Sequence, residues 1–469
     1  MANVSENGAR TPFDIAVIGA GVVGCAVARR FTLEGAHVVV LEQAADLLAG
    51  ASKGNSALLH TGFDASRASL ELACMRAGYD EYLAVREQLN LPVLETCAVV
   101  VAWRDDELAR LDAIEAQARA NGIGDVRRLT CAELLAREPQ LSPKALGALL
   151  VPGEHVIDPW SAPLAYLRQA VDNGAEARFD AEVHDGALAD GVWTLATASG
   201  PVAARTVVNC AGLYGDLVDQ RLLGGSAFTI RPRKGQFVVF DKAAASLLRT
   251  IVLPVPSERT KGIVLTPTVF GNLLVGPTAE EQDDRQRAAV TQSALEFLIR
   301  SAVEMLPALA GMPVTATYAG LRPATERKEY RIRHEPDRNW LTVGGIRSTG
   351  LTAALGLARH VFELYCAAGH RHETIASPLW PRMPNLAEHR DRDWATPGHG
   401  GIVCHCELVS RREIEAALSG PLPARDPGGL KRRTRAGMGR CQGFYCGAEL
   451  AALTQGRLAP PLAIGTCHG

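Results

Sequence analysis

The sequence lacks the features that mark several large classes of protein. No apolar run approaches the roughly 20 residues that cross a bilayer, and the polar stretch 1–13 has no apolar core of a signal peptide. The 49 Lys and Arg residues are balanced by 51 Asp and Glu, so there is neither the positive excess of a nucleic-acid-binding protein nor an acidic tail. We therefore expect a cytoplasmic protein with no nucleic-acid partner and no direct membrane span.

Cysteine is also scarce, because eleven cysteines in 469 residues are too few for a scaffold built on disulfides. Hydrophobic residues make up 47% of the chain and charged residues 21%, which is the composition of a globular protein. At about 150 residues per domain, the length corresponds to roughly three domains.

The amino-terminal part contains the pattern strand, glycine-rich turn, helix, strand and acid in that order. An apolar strand is predicted over residues 14–18 and a helix over residues 25–34, with Gly35 as its left-handed cap. A second apolar strand over residues 37–41 leads directly to Glu42. A glycine-rich turn in some other α/β unit would explain the glycines but not the acid.

The residues between these elements fit the pyrophosphate and ribose of a dinucleotide. Gly19 permits the tight turn, Gly21 lets the pyrophosphate approach the backbone, and Gly24 lets helix and strand pack closely. The helix amino terminus adds N–H groups and partial positive charge. Glu42 can accept hydrogen bonds from the ribose hydroxyls. The pattern predicts a Rossmann-like dinucleotide-binding domain, with Ala20 as a further cofactor contact.

Three later segments favour a flavin over a nicotinamide cofactor. Residues 50–62 form a loop of mostly small residues that can wrap donors around an extended cofactor, which a nicotinamide enzyme does not need at this point. Residues 206–212 form another apolar strand that ends in small residues. Near Gly350 a loop leads into a helix whose amino terminus can stabilise negative charge on a reduced flavin. The predicted cofactor contacts in these segments are Ser52, Asn55, Ser56, Ala211, Gly212, Gly350, Leu351 and Thr352.

Further motifs follow in a specific order along the chain. They are Asn55-Ser-Ala-Leu-Leu-His-Thr-Gly-Phe-Asp64, Arg231-Pro-Arg-Lys-Gly-Gln236, Lys261-Gly-Ile-Val-Leu-Thr-Pro-Thr268, Leu274-Val-Gly-Pro-Thr278, Tyr318-Ala-Gly-Leu-Arg-Pro323 and the loop from Gly345 to Thr352. With these motifs the first 370 residues resemble the flavin-dependent D-amino-acid oxidase/glycerol-3-phosphate dehydrogenase superfamily. They are most similar to the flavoprotein subunit of anaerobic-type glycerol-3-phosphate dehydrogenases and to L-2-hydroxyglutarate oxidases. The resemblance implies FAD and a substrate oxidised at a carbon that bears a hydroxyl or amino group.

The resemblance implies a mixed α/β and α+β fold with a discontinuous flavin domain. The expected pieces of the Rossmann-like FAD-binding domain are 13–90, 150–225 and 320–375, and those of an antiparallel-sheet substrate domain are 91–149 and 226–319. The apolar stretches 237–240, 263–265 and 273–276, with turn residues between them, are typical of antiparallel strands.

Oxidation by a flavin needs a site for the anionic tail of the substrate. Arg322 is the first candidate, because a guanidinium fork suits a carboxylate or a phosphate, and the superfamily's matching arginine holds the substrate acid. We expect Gly320 to let the substrate approach the backbone. Lys261 and Arg347 are further cation candidates at the catalytic site. The alternatives are an interdomain salt bridge for Arg322 and a solvent-exposed position for Lys261.

His60 is the best candidate for the base that removes the hydroxyl proton, since a histidine titrates near neutrality. The resemblance places its segment beside the flavin. A histidine that only hydrogen-bonds the cofactor, and covalent attachment of the flavin through the ring, are the alternatives.

The last part of the chain contains two pairs of cysteines, Cys404 with Cys406 and Cys441 with Cys446. Four thiolates from two short loops can hold one metal centre. Zinc sites usually separate paired ligands by at least two residues, so zinc and free thiols are the less favoured interpretations. The segment resembles the bacterioferritin-associated-ferredoxin type of 2Fe-2S domain. We expect a proline-punctuated surface linker over 376–400 and the cluster domain over 401–469.

Two features of this domain carry further predictions. Ser410 with Glu413 forms a capping-box pattern, which predicts a helix through Leu418. The basic cluster 431–435 either docks an acidic electron-transfer partner or is a solvated face.

The hypothesis that joins these parts is an FAD-dependent dehydrogenase. It oxidises a small anionic hydroxy substrate, with L-glycerol 3-phosphate as the leading candidate, and passes electrons through a 2Fe-2S cluster to an external protein or quinone-reducing subunit. Membership of a hetero-oligomer and peripheral contact with the inner membrane through a partner are compatible with it. The alternatives are a 2-hydroxy acid such as 2-hydroxyglutarate, an amino or imino acid, an electron-relay subunit, or a zinc-stabilised regulatory module.

Overall fold

The computed structural model describes residues 11–256 and 262–463, so the candidate Lys261 lies outside the described residues. The described chain forms four β-sheets, of which two are large, with eight and nine strands. In these two ranges no helix has both the length and the apolar character needed to span a bilayer.

The strands and helices alternate along most of the chain. The strands are β1 (Phe13–Ile18), β2 (Val38–Leu41), β3 (Leu58–Leu59), β4 (Val93–Leu94), β5 (Ala98–Ala102), β6 (Arg127–Thr130), β7 (Gly147–Val151), β8 (His155–Ile157), β9 (Glu176–Arg178), β10 (Val183–Ala189), β11 (Val192–Thr197), β12 (Val202–Asn209), β13 (Ile230–Phe240), β14 (Ile251–Pro254), β15 (Val264–Pro267), β16 (Leu273–Gly276), β17 (Glu280–Glu281), β18 (Val314–Thr325), β19 (Arg331–Glu335), β20 (Trp340–Gly344), β21 (Ile402–Cys404) and β22 (Val409–Ser410). The α-helices are α1 (Val22–Leu33), α2 (Leu70–Leu89), α3 (Asp105–Ala120), α4 (Cys131–Arg137), α5 (Ser161–Asp172), α6 (Gly215–Leu223), α7 (Gln292–Met305), α8 (Gly350–Ala367), α9 (Arg411–Ala417), α10 (Pro427–Thr434) and α11 (Gly447–Leu453).

The eight-stranded sheet is the Rossmann-like part of the fold. Its parallel centre runs β20-β12-β1-β2-β9, and β10, β11 and β19 add antiparallel pairs. Helices α1, α5 and α8 share a core with one face, and α6 packs with Trp193 and Trp340 on the other. Because both faces are covered, β1 and β2 are apolar along their length. The predicted first two strands and the helix between them are confirmed, and Gly35 adopts the expected left-handed conformation at φ +96°.

The nine-stranded sheet is largely antiparallel, with the single parallel pair β5–β14. The three strands predicted from apolar stretches are confirmed as parts of β13, β15 and β16, which pair antiparallel. Strand β18 pairs along the whole length of β13. The expected domain boundary at residue 320 falls inside β18. The carboxyl end of this strand, which carries Arg322, therefore belongs to the nine-stranded sheet.

The two large sheets meet through a close backbone contact. A Cβ atom on Gly320 would lie 2.5 Å from the carbonyl oxygen of Gly54, which is too short for any side chain. We expected Gly320 to leave room for a substrate. The structure shows instead that position 320 requires glycine because the backbone of Gly54 lies against it. The contact holds the 50–56 loop against β18.

The carboxy-terminal residues fold around a small core of their own, which includes Val403, Val409, Ile414, Leu430 and Leu450. The predicted capping box is confirmed and starts α9. The Ser410 hydroxyl accepts from the Glu413 N–H at 3.1 Å, and the Glu413 carboxylate accepts from the Ser410 N–H at 2.8 Å. These reciprocal bonds satisfy two N–H groups that the first turn leaves unpaired.

The segment before this domain, which the sequence predicts as a surface linker, is anchored to both large sheets. The Met383 N–H donates to the Leu89 carbonyl at the end of α2, and the Glu388 N–H donates to the Val269 carbonyl. Leu386 between them is buried. The apolar contacts explain why this proline-punctuated stretch lies on one defined path.

Candidate active site

A cavity of about 660 Å³ opens at the carboxyl end of β1, and we call it the cofactor cavity. Gly19 turns there at φ +102°, and a Cβ on it would lie 2.7 Å from the Cys210 carbonyl oxygen. A Cβ on Gly24 would lie 1.9 Å from the Gly19 carbonyl oxygen. Both positions therefore require glycine for packing, as the fingerprint predicts. The predicted contacts that line this cavity are Gly19, Gly21, Glu42, Ser52, Ala211, Gly212 and Gly350.

Glu42 lies at the end of β2 with its carboxylate largely buried. One oxygen accepts from the Ala20 N–H at 2.7 Å and the other from the Ala44 N–H at 2.9 Å. Burial raises the pKa of Glu42, and the two backbone N–H groups oppose that rise. A carboxylate has about four acceptor sites, so Glu42 still has room for ribose hydroxyls. Ala20 acts here by orienting the acid, and it does not line the cavity.

The loop after β2 closes over the start of α1. The Ser52 hydroxyl accepts from the Val22 N–H at 3.0 Å, and the Asn55 amide donates to the Ser52 carbonyl oxygen at 3.0 Å. The Tyr318 hydroxyl donates to the Asn55 carbonyl oxygen at 2.6 Å. These bonds fix the small-residue loop in a single conformation between the two sheets.

A second cavity, of about 400 Å³, adjoins the first, and we call it the adjoining cavity. The two share lining residues, among them Val22, Ser52, Leu321 and Gly350. The predicted residues that line the adjoining cavity are Ser52, Asn55, Ser56, His60, Arg322, Arg347, Gly350 and Leu351. The structure thus brings ten of the thirteen predicted cofactor contacts, all but Ala20, Gly24 and Thr352, and three of the four predicted catalytic residues to two adjoining cavities.

Arg322 extends from β18 into the adjoining cavity. Its Nη2 atom donates to the Thr278 carbonyl oxygen at 2.9 Å, and no described carboxylate forms an ion pair with it. Burial, together with the nearby cations Arg233 and Arg347, lowers the pKa of Arg322 to about 10. The expected alternative of an interdomain salt bridge is wrong for the residues that the structure describes. An anion in this cavity would relieve the unfavourable burial of the charge.

Gly235 explains how the guanidinium reaches this place, and the sequence did not single it out. A Cβ on Gly235 would lie 2.2 Å from the Arg322 Nη2 atom. The sequence signal that could have found Gly235 is its place in the motif 231–236. In the structure it pairs with Gly320 across β13 and β18. Arg347 is held differently, with its Nη2 atom 3.8 Å from the Glu71 carboxylate.

His60 lines the adjoining cavity and contacts the buried carboxylate of Glu154. Its Nδ1 atom lies 2.8 Å from an oxygen of Glu154, whose side chain is 0% exposed. The backbone N–H of His60 donates to the hydroxyl of Thr352 at 3.0 Å. Thr352 is predicted as a cofactor contact, but it is buried beneath His60 and lines neither cavity. Nothing in the sequence around Glu154 marks it as a partner of a residue 94 positions away.

The four carboxy-terminal cysteines lie together between β21 and α11. Cys406 lies within electrostatic reach of Cys441 and Cys404, and Cys446 within reach of Cys404 and Cys441. The Gly437 N–H points at the Cys404 sulfur at 3.5 Å. The Tyr445 N–H, with other backbone N–H groups of its loop, lowers the pKa of Cys441.

This arrangement fits a two-iron cluster. In the part of the chain that the structure describes, no three His, Cys, Asp or Glu side chains are grouped to hold a single metal ion. The four thiols lie within electrostatic reach of one another, and four cysteine thiolates are the usual ligands of a [2Fe-2S] cluster. Backbone N–H groups favour the thiolate form of Cys441, whereas burial raises the pKa of Cys406 and Cys446.

Three arginines of the basic cluster 431–435 are bound within the chain, so they form neither a docking surface for a partner nor a solvated face. Arg433 is buried against Asp46, Arg435 is buried against Glu407, and the Arg432 guanidinium donates to the Leu47 carbonyl oxygen at 2.9 Å. Lys431 alone among the cations of the cluster is exposed. Through Arg432 and Arg433 the cluster therefore joins the carboxy-terminal domain to the rest of the chain, whereas Glu407 belongs to the same domain as Arg435.

Comparisons with known proteins agree with this geometry. Residues 14–364 match the family described as FAD dependent oxidoreductase, and residues 402–455 match the BFD-like [2Fe-2S] binding domain. The chain is 32% identical to a glycerol 3-phosphate dehydrogenase of Caloramator mitchellensis over 92% of both chains. It is 24% identical to one subunit of the anaerobic glycerol-3-phosphate dehydrogenase of Escherichia coli, over 94% of this chain and 88% of that one.

A solved structure extends the likeness to three dimensions. The reduced L-alpha-glycerophosphate oxidase of Mycoplasma pneumoniae, with FAD bound, superposes with a TM-score of 0.74 and 25% identity. The match covers 80% of this chain and 100% of the oxidase. The chain therefore belongs to the FAD-dependent oxidoreductase family, as an enzyme that binds FAD and carries a carboxy-terminal [2Fe-2S] domain.

Proposed function

We propose that this enzyme oxidises L-glycerol 3-phosphate at its secondary hydroxyl and passes the electrons through the cluster to an acceptor outside the chain. The observation that carries the proposal is Arg322, a cation with no described ion-pair partner in the cavity next to the cofactor cavity. Three relatives named above act, by their names, on glycerol 3-phosphate or glycerophosphate.

The residues around the adjoining cavity divide the work of the reaction. Arg322 binds the phosphate through its planar fork, and Arg347 adds the second cation that a dianion favours. Lys261 stays a further candidate for this role. His60 accepts the hydroxyl proton as the alcohol becomes a ketone.

The bound cofactors complete the chemistry of this proposal. FAD supplies the two-electron acceptor for the substrate's hydride, and the cluster supplies a one-electron outlet. We infer that the turn 19–24 at the start of α1 would hold the pyrophosphate, that Glu42 would bind the ribose, and that the loops at Ser52, Ala211 and Gly350 would contact the rest of FAD. The amino terminus of α8, at Gly350, lines both cavities.

The proposed outlet is the loop between Cys441 and Cys446. Phe444 and Tyr445 in this loop are 82% and 78% exposed, well above the other exposed aromatic residues of the described chain, Phe297 at 48% and Trp394 at 41%. Exposed aromatic residues are enriched at protein interfaces. We infer that an electron-acceptor protein or quinone-reducing subunit docks here. The Escherichia coli relative is by its name one subunit of an enzyme, which supports a hetero-oligomer.

The test is anaerobic stopped-flow absorption of the protein loaded with FAD and cluster. We expect L-glycerol 3-phosphate to bleach the flavin first and the cluster second. The enantiomer, glycerol, glycine and 2-hydroxyglutarate are the comparison substrates. Bleaching by 2-hydroxyglutarate or glycine but not by glycerol 3-phosphate would overturn the substrate, and a cluster that stays oxidised while the flavin is reduced would overturn the route.

A further inference from the structure

The carboxylate of Glu154 is placed as a partner of one imidazole. Glu154 lies in the turn between β7 and β8 and is completely buried. One oxygen faces the His60 Nδ1 atom at 2.8 Å, and the other accepts from the Thr61 N–H at 2.6 Å and the Thr61 hydroxyl at 2.8 Å. Among the described residues, no Lys or Arg forms an ion pair with it, and His60 is the one titratable side chain that hydrogen-bonds to it.

This contact decides which ring nitrogen of His60 can take a proton. An ionised carboxylate only accepts hydrogen bonds, so the Nδ1 atom must carry a hydrogen. The Nε2 atom of the neutral ring is then unprotonated. The His60 side chain lines the adjoining cavity. Its remaining acceptor, the Nε2 atom, is therefore on a side chain that faces the space for the substrate.

We propose that Glu154 is the positioning residue of His60: it fixes the imidazole with Nδ1 protonated, leaves Nε2 to accept the substrate's hydroxyl proton, and stabilises the imidazolium that results. The inference deepens the proposed function and rests on the role of His60 as the base. Proton transfer moves one hydrogen from the hydroxyl oxygen to Nε2, and the electrons of the substrate leave separately as the hydride. A buried charge at this distance acts strongly because little water screens it.

Other charged groups lie around His60 but do not make this contact. Those that line the same cavity are Asp64, Glu71, Arg233, Arg322, Lys328 and Arg347. Tyr79 and His155 lie near Glu154, and burial together with the Glu154 charge raises the pKa of Tyr79 to about 12. The experiment therefore changes Glu154 alone and keeps these groups in place.

The first measurement is nitrogen NMR of the histidine-labelled, FAD-loaded protein, with His60 assigned by H60Q. In the unaltered protein we expect neutral His60 to be protonated at Nδ1. In Glu154→Gln the neutral ring should lose this preference and populate both tautomers, because a side-chain amide can either accept from Nδ1 or donate to it. Glu138→Gln is the matched control, since Glu138 is also buried and, among the described residues, accepts from the backbone N–H groups of Arg249 and Thr250 and not from a histidine.

The second measurement is the rate of flavin reduction by L-glycerol 3-phosphate. Glu154→Gln should lower this rate by roughly 100- to 10,000-fold with little change in KM, because the neutral amide permits the wrong tautomer. The double variant H60Q/E154Q should be no slower than H60Q, and E138Q should match the unaltered protein.

Three results would overturn the proposal: a neutral His60 protonated at Nε2 in the unaltered protein, a tautomer preference unchanged in E154Q, or additive effects of the two substitutions. The first is measured on the unaltered protein and needs only H60Q for the assignment, so it decides the matter even if E154Q fails to fold. If L-glycerol 3-phosphate does not reduce the flavin of the unaltered protein, the proposed substrate is wrong. The NMR measurements still test whether Glu154 sets the tautomer of His60.

Discussion

Asp46 and Arg433 form a buried ion pair that joins the flavin side of the fold to the cluster domain. The two guanidinium nitrogens lie 2.8 and 2.9 Å from the two carboxylate oxygens, across 387 residues of sequence. Asp46 also accepts from the Arg425 N–H at 3.1 Å, and a Cβ on Gly429 would lie 1.8 Å from the same carboxylate. The acid is thus seated in a space that α10 leaves for it, which fixes the cluster domain in one orientation.

Asp46→Asn should destabilise the whole chain strongly. The change leaves Arg433 charged and buried without its partner, which costs about 3–5 kcal/mol. The measurement is thermal unfolding of the full-length protein, followed by the absorption of flavin and cluster.

Asp180→Asn is the matched control for this prediction. Its partner Arg425 belongs to the same cluster domain, but the two side chains are 59% and 44% exposed, so the loss should be about 0–1 kcal/mol. Equal losses of stability in the two variants would show that the Asp46–Arg433 pair does not hold the domains together.

Arg322→Met should reduce kcat/KM for glycerol 3-phosphate. Removing a buried cation from a charged contact costs about 2–5 kcal/mol, which is roughly a 30- to 5000-fold loss. Arg322→Lys should retain part of the activity, because it keeps the charge but not the planar fork. Steady-state rates with a dye acceptor measure both.

Arg231→Met gives the comparison for Arg322, since Arg231 is an exposed arginine on the neighbouring strand β13 that lines neither cavity. It should leave kcat/KM within about twofold, as surface substitutions usually do. Losses of similar size at positions 231 and 322 would remove Arg322 from the substrate site.

Local patterns carry most of what the sequence predicts correctly. The positive-φ turns at Gly19 and Gly35, the packing of Gly24 on the Gly19 carbonyl and the capping box at Ser410 each depend on the chain within a few residues. Their physical requirements are therefore written in short motifs. The same holds for the apolar runs that became β1, β2 and β16.

Long-range partners account for what the sequence leaves out. Glu154 is an ordinary acid until β7 and β8 bring it under His60, and Gly235 has no visible purpose until Arg322 lies across it. The basic cluster 431–435 shows the same limit, because a run of cations does not reveal that Asp46 and Glu407 lie opposite. A sequence shows the charge of a side chain but not its distant partner.

Cys406→Ser should separate the two halves of the proposed electron route. The variant should lose the absorption of the cluster, since one of four thiolate ligands is gone, while FAD stays bound. In a single anaerobic turnover, L-glycerol 3-phosphate should still bleach the flavin within about twofold of the normal rate, because the cavities lie outside this domain. A flavin that is no longer reduced would contradict the proposed order of the two carriers.

Gly439→Ala should prevent the cluster from assembling without disturbing the flavin. A Cβ at position 439 would lie 2.3 Å from the Cβ of Cys406, so one ligand must move. Gly447→Ala is the matched control, because nothing lies within 4 Å of a Cβ there and the residue begins α11. Iron and sulfide content per FAD should fall sharply in the first variant and stay normal in the second. Full cluster content in Gly439→Ala would mean that the loop around Cys406 adapts, and that the close approach at this glycine is not what shapes the cluster site.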